Sequence, residues 1–286
     1  MNKTAKLFFF IGAFGFVSLH PLTAQLKGDT YASAKASKSA TLVLTHSNAP
    51  GFAAQKGTVT TGITFDIMER FKTYVQDTKG ISITYTLQTK NADNFTQFLD
   101  EVKNSSGGVF GLSNTTITTA RKRVYNFSPP YITNIGMIVT HNSVPTLSNM
   151  SEVSSKFAGM TAVTVKNSTN EKRILDIKKT HYPNLKIQYV NSFSEAMDMI
   201  TKDPTKFSNL DFTYYFEAVQ ARKPVKRHPG GDDKTEQFGI IMPKSNDWSP
   251  LLAEFMNSGF VGGTDYKKIV ANNLGQSAMK FFDTLK

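Results

Sequence analysis

The chain has 286 residues, with 33 lysines and arginines against 22 acids, a formal charge of +11, 40% hydrophobic residues and no cysteine. That length suits two cores of ordinary domain size, and the lack of cysteine excludes both disulfides and a lipid-bearing N-terminal cysteine. The basic residues are spread along the whole sequence with one dense knot, RKPVKRH at 222–228, a pattern of a solvated face that favours small anions over nucleic acid.

In chain order, residues 1–24 place Lys3 and Lys6 before an apolar stretch at 7–19 and a small-residue exit at Ala24. The stretch is too short to span a bilayer and has the layout of a cleaved secretory signal. The expected mature protein is therefore periplasmic, soluble and not a lipoprotein, and its charge falls by two as both lysines leave. Residues 25–40, small, polar and aperiodic, predict a disordered lead-in.

From residue 41 the pattern alternates. TLVLTH, ISITYTLQ and GVFGLS have strand character, while FDIMERFKTYV and NFTQFLDEV between them repeat apolar residues at helical spacing. A second run follows: strand GMTAVTV, helix STNEKRILDIKKTH, strand LKIQYV, a helix opened by the Ser192 to Glu195 capping box, and strand NLDFTYY. Each run predicts a mostly parallel sheet covered by helices, with ligands at the carboxyl ends of the strands. NIGMIVTHNSVPTL and QFGIIMPKSNDW predict two crossings that form a hinge, near residues 137–140 and 238–242, and the last 38 residues predict two helices packed back on the first lobe. The fold class is α/β with two lobes: residues 41–137 and 238–286 in the first, 138–237 in the second.

One motif stands at the end of the third strand: TTITTARKRVYNFSPPY, residues 115–131. An arginine's planar fork fits a carboxylate bidentately and nearby hydroxyls satisfy its remaining lone pairs; the competing reading is a solvated turn.

With GITFDI at 62–67, FAGMTAVTVKNST at 157–169, FGIIMPK at 238–244 and the tyrosine-to-NNLG stretch before residue 276, this motif resembles that of the periplasmic solute-binding proteins of the polar amino-acid type, the family 3 receptors of ABC importers. The resemblance implies a binding protein rather than an enzyme, and a monomer with no cofactor and no metal. It would take a small carboxylate-bearing ligand and have a membrane permease or sensor as partner. It puts Arg121 on the ligand's α-carboxylate with Thr116 beside it, and Ser168 and Thr169 across the cleft at a helix N-terminus, where Asn167 replaces the usual glycine. Ser168 serves equally as a helix cap. Phe52 is the nearest match to a ligand-stacking aromatic, or else a residue tucked into the lobe. The family's acid for the ligand ammonium falls on Phe216, which leaves adjacent Glu217 as the nearest carboxylate and makes an α-amino group dispensable.

Two other functions stay open: a non-transport sensor or scaffold with a decayed pocket, and a dehydratase-like enzyme of the same fold, whose acid or base would have to be His46, Glu217 or Glu236. No metalloprotease, nucleophile-elbow or phosphate-loop motif is present.

Overall fold

The computed structural model describes residues 25–57 and 59–283; the expected signal peptide lies outside them. Two five-stranded sheets organise the chain. In the first, Ser82–Gln88, Ser39–His46 and Val109–Leu112 run parallel, then Ile241–Pro243 joins antiparallel and pairs with Tyr125–Phe127 at the edge. The second repeats the scheme: Lys186–Val190, Thr161–Val165 and Lys206–Asp211 run parallel, Gly136–His141 joins antiparallel, and Val225–Asp233 closes the edge. Each lobe thus takes its antiparallel fourth strand from a segment that has just crossed between the lobes.

The crossings themselves lie a few residues earlier than the sequence suggests. Ile132–Thr133 pairs antiparallel with Gln237–Phe238, and Asn134 N–H donates to Glu236 O at 2.8 Å. The residues expected as crossings, with their longer apolar runs, are buried strands of the two sheets.

Local chemistry sets the helices. Helix Ile63–Lys79 starts at Gly62, whose φ of 131° and lack of a side chain are both required: a Cβ there would meet Phe52 O at 2.3 Å. Thr64 Oγ1 also donates to Phe52 O at 2.6 Å, so this glycine-led turn pins the loop that carries Phe52. Helix Thr169–Thr180 is capped by Ser168 and helix Phe193–Lys202 by Ser192, each accepting from the backbone N–H three residues on. The last helix, Thr264–Asp283, packs on Ile63–Lys79 and also touches the second lobe's Phe212–Gln220, so the tail spans both lobes rather than the first alone.

Three segments depart from expectation. Residues 25–40 are folded: Lys27–Gly28 pairs with Ser106–Gly107, and Tyr31–Ser37 is a helix capped by Thr30. Asp247 accepts from Tyr31 and Ala32 N–H at 2.8 and 3.0 Å, and Trp248 Nε1 donates to Asp29 O at 2.8 Å. The partners that order this polar stretch lie more than 200 residues away. The basic knot belongs to edge strand Val225–Asp233, where Arg227 pairs with Asp232 and buried His228 bridges Thr140 Oγ1 and Leu147 N at 2.7 and 2.9 Å. NLDFTYY, expected as one strand, ends as a strand at Asp211, and Phe212–Gln220 is a helix.

Candidate ligand-binding cleft

The carboxyl ends of both parallel strand sets face each other across the crossings, and the chain's own side chains meet there. Thr118 caps the one-turn helix Thr119–Lys122, its Oγ1 accepting from Arg121 N at 3.1 Å. This aims half-buried Arg121 at the second lobe. Its Nη1 donates to Thr116 O at 3.0 Å, its Nη2 donates to Asn167 O at 3.1 Å, and the guanidinium lies 5.5 Å from the Phe95 ring centroid. Burial lowers its pKa from the ordinary arginine value. Thr116 Oγ1 and Thr169 Oγ1 face each other across the lobes at 3.2 Å.

Arg121, Thr116 and Thr169 are therefore brought together. Asn167, with φ at 64°, adopts the left-handed conformation that glycine favours and that asparagine tolerates next best. Ser168 lies beside them, but its hydroxyl donates to Val165 O at 2.6 Å and accepts from Glu171 N at 2.9 Å, so it is committed to the helix cap.

Phe52 is fully buried, 5.3 to 6.1 Å ring to ring from Phe238, Phe212 and Tyr131. It is part of the buried core, as in the tucked-in reading of the two that the sequence leaves open. Glu217 is exposed on helix Phe212–Gln220, and Phe216 packs on Phe212.

The carboxylates at the cleft are others. Asp211 closes its strand, is 3% exposed and makes no side-chain cap to the helix it precedes. It accepts instead from Asn134 Nδ2 at 2.8 Å, from Asn170 Nδ2 at 3.3 Å and from Asn114 Nδ2. Glu236, expected in an ordinary polar setting, accepts from Asn134 Nδ2 at 2.9 Å and lies 3.4 Å from Arg173 Nη2, which also pairs with Asp233 at 2.8 Å. The signal for Asp211 was in the sequence: an acid ending the apolar strand that aims at the cleft. His46 is buried, with Nε2 3.2 Å from Asn48 Oδ1 and no hydrogen-bond partner for Nδ1, and burial lowers its pKa.

The same architecture occurs in solved structures. The arginine-, lysine-, histidine-binding protein ArtJ from Geobacillus stearothermophilus matches at a TM-score of 0.66 and 18% identity, over 82% of this chain and 96% of that one. An ancestral arginine-binding protein bound to glutamine matches at 0.66 and 17%, over 82% and 98%. The AvGluR1 ligand-binding domain in complex with alanine matches at 0.64 and 18%, over 88% and 97%. The chain has the two-lobe periplasmic binding-protein fold. No family model matches the sequence, and no curated protein matches it. Within this fold the Arg121, Thr116, Thr169 and Asp211 group occupies the space between the lobes, where groups from both sheets reach one another directly. Among the described residues no helix is long and apolar enough to cross a membrane.

Proposed function

We propose that this chain is an extracytoplasmic solute-binding protein. It captures a small carboxylated solute, an amino acid or a related organic acid, between its lobes and delivers it to an ABC-type permease. The observation that carries this reading is the fork of Arg121, which spans the lobes by donating to Thr116 O on one side and Asn167 O on the other. Two carbonyl oxygens there stand in for the two oxygens of a carboxylate, which the same fork would grip bidentately, with the Thr116 and Thr169 hydroxyls beside it. Asp211, rather than Glu217, is the acid for a ligand ammonium, because it lies buried between the lobes among three amides, and this replaces the expectation from Phe216 that an α-amino group is dispensable. Closure about the paired crossings brings both halves onto the ligand. Residues 1–24 direct the chain to the periplasm, and the mature protein acts as a monomer. The fold's likeness to an arginine-binding protein bound to glutamine and to a ligand-binding domain in complex with alanine supports this substrate class.

A second reading, a sensor or scaffold with a decayed pocket, draws on the direct aromatic contacts between the lobes, Phe52 with Phe212 at 6.0 Å and Phe95 with Phe193 at 5.9 Å. A thermal-shift screen of carboxylated solutes separates the two. A true ligand at a hundred times its Kd stabilises by about 2.7 kcal/mol, whereas no shift with any solute favours the scaffold. No catalytic role is assigned to His46, Glu217 or Glu236.

A further inference from the structure

Asp211 and Glu236 come from different segments, a second-lobe strand end and the second crossing, yet both accept from the same Asn134 Nδ2, at 2.8 and 2.9 Å. They differ in what neutralises them. Arg173 pairs with Asp233 and reaches Glu236 at 3.4 Å. Asp211 receives amide donors from Asn114, Asn134 and Asn170, and no ion pair reaches it among the described residues. The same knot leaves the buried acceptor Asn134 Oδ1 without a donor. Asp211 is thus a buried carboxylate one amide away from a second carboxylate and next to an orphaned acceptor, and its own donors are all neutral amides.

We propose that Asp211, one amide away from the Glu236 carboxylate, holds a proton when the lobes are shut, and that this proton closes the ligand-free protein and is displaced by the ammonium of an arriving solute. The proposal rests on the solute-receptor reading for its last step only; the proton and the closure are properties of the ligand-free chain. Closing buries Asp211 against Asn114 of the first lobe and Asn134 of the crossing. The charged and titratable groups facing it are Glu236 on the second crossing, Arg173 on helix Thr169–Thr180, Arg121 on helix Thr119–Lys122, Tyr131 ahead of the first crossing and Tyr214 on its own helix. Burial first, and then the charge of Glu236, push its carboxyl up to about 7. An open, solvated Asp211 would titrate near the ordinary value of about 3.9. The closed form therefore binds the extra proton between those values. Its advantage is complete at acidic pH and is lost as pH rises toward 7, at about tenfold in the closed-to-open ratio per pH unit.

The test uses ligand-free protein. The chain has no cysteine, so Lys90→Cys and Lys166→Cys place spin labels at exposed sites on the two lobes without interference. Pulsed electron-resonance distances should be short at pH 5 and lengthen at pH 8, while Asp211→Asn, neutral at both, should stay short at both. If Asp211→Asn does not fold, Glu236→Gln should move the transition to lower pH by removing the neighbouring charge. Identical wild-type distances at pH 5 and 8, or variants that titrate as the wild type does, overturn the proposal. A chain that binds no solute would still show the pH response, so the two readings fail separately.

Discussion

Replacing Arg121 with alanine is expected to weaken solute binding by about 2 to 5 kcal/mol, the range for removing one partner of a buried, hydrogen-bonded charge pair. The loss is large because the ligand carboxylate stays desolvated between Thr116, Thr169 and the head of helix Thr169–Thr180, with its counter-charge gone. Arg121→Lys should recover little, since a single ammonium cannot reproduce a planar fork that reaches both lobes at 3.0 and 3.1 Å. The fold should survive both changes, because the guanidinium bridges backbone carbonyls at the cleft and is not core. Titration calorimetry checks the affinities and urea unfolding checks the fold. Unchanged affinity in Arg121→Ala would remove the carboxylate assignment.

Phe52→Ala should instead lower stability by about 3 to 5 kcal/mol, as for other fully buried aromatics cut to alanine. The ring fills a site walled by Tyr131, Phe212 and Phe238. Its backbone carbonyl is held by Thr64 above a Gly62 turn that admits no side chain, so the loop cannot easily collapse into the cavity. Since Phe212 belongs to the second lobe, part of the loss falls on contact between the lobes. The urea midpoint reads the effect. Intact stability with a selective loss of affinity would return Phe52 to the role of an exposed ligand-stacking ring.

The strand and helix alternation of both lobes was legible because each sheet's buried strands are short apolar runs and its helices keep a 3.6-residue period, punctuated by caps such as Ser168 and Ser192. The grouping of Arg121, Thr116 and Thr169 was legible too. The motif's residues alone leave a solvated turn open, and it is the resemblance to a family of two-lobe receptors that sets a hydroxyl-rich loop of one lobe against a capped helix start of the other. What escaped the sequence depended on distant partners. Residues 25–40 look unstructured until Asp247 and Trp248 tie them down. The aromatics of NLDFTYY favour a strand, and this hid both the helix start at Phe212 and the special place of Asp211 as the last strand residue. Asn134, Arg173 and Glu236 each stand alone in the sequence with no motif. Their common position arises only where a crossing, a helix and a strand end converge.

The central claim, a cleft that holds a carboxylate at Arg121 and an ammonium at Asp211, is tested most directly by titrating three matched compounds into the wild-type protein: an amino acid found to bind, the amine lacking its carboxyl group, and the acid lacking its amino group. Both truncated compounds are predicted to bind more weakly than the parent, the amine by the same 2 to 5 kcal/mol (roughly) expected for Arg121→Ala. In the Arg121→Ala protein the parent and the amine should then bind alike. An amine that binds the wild-type protein as tightly as its parent amino acid would contradict the account.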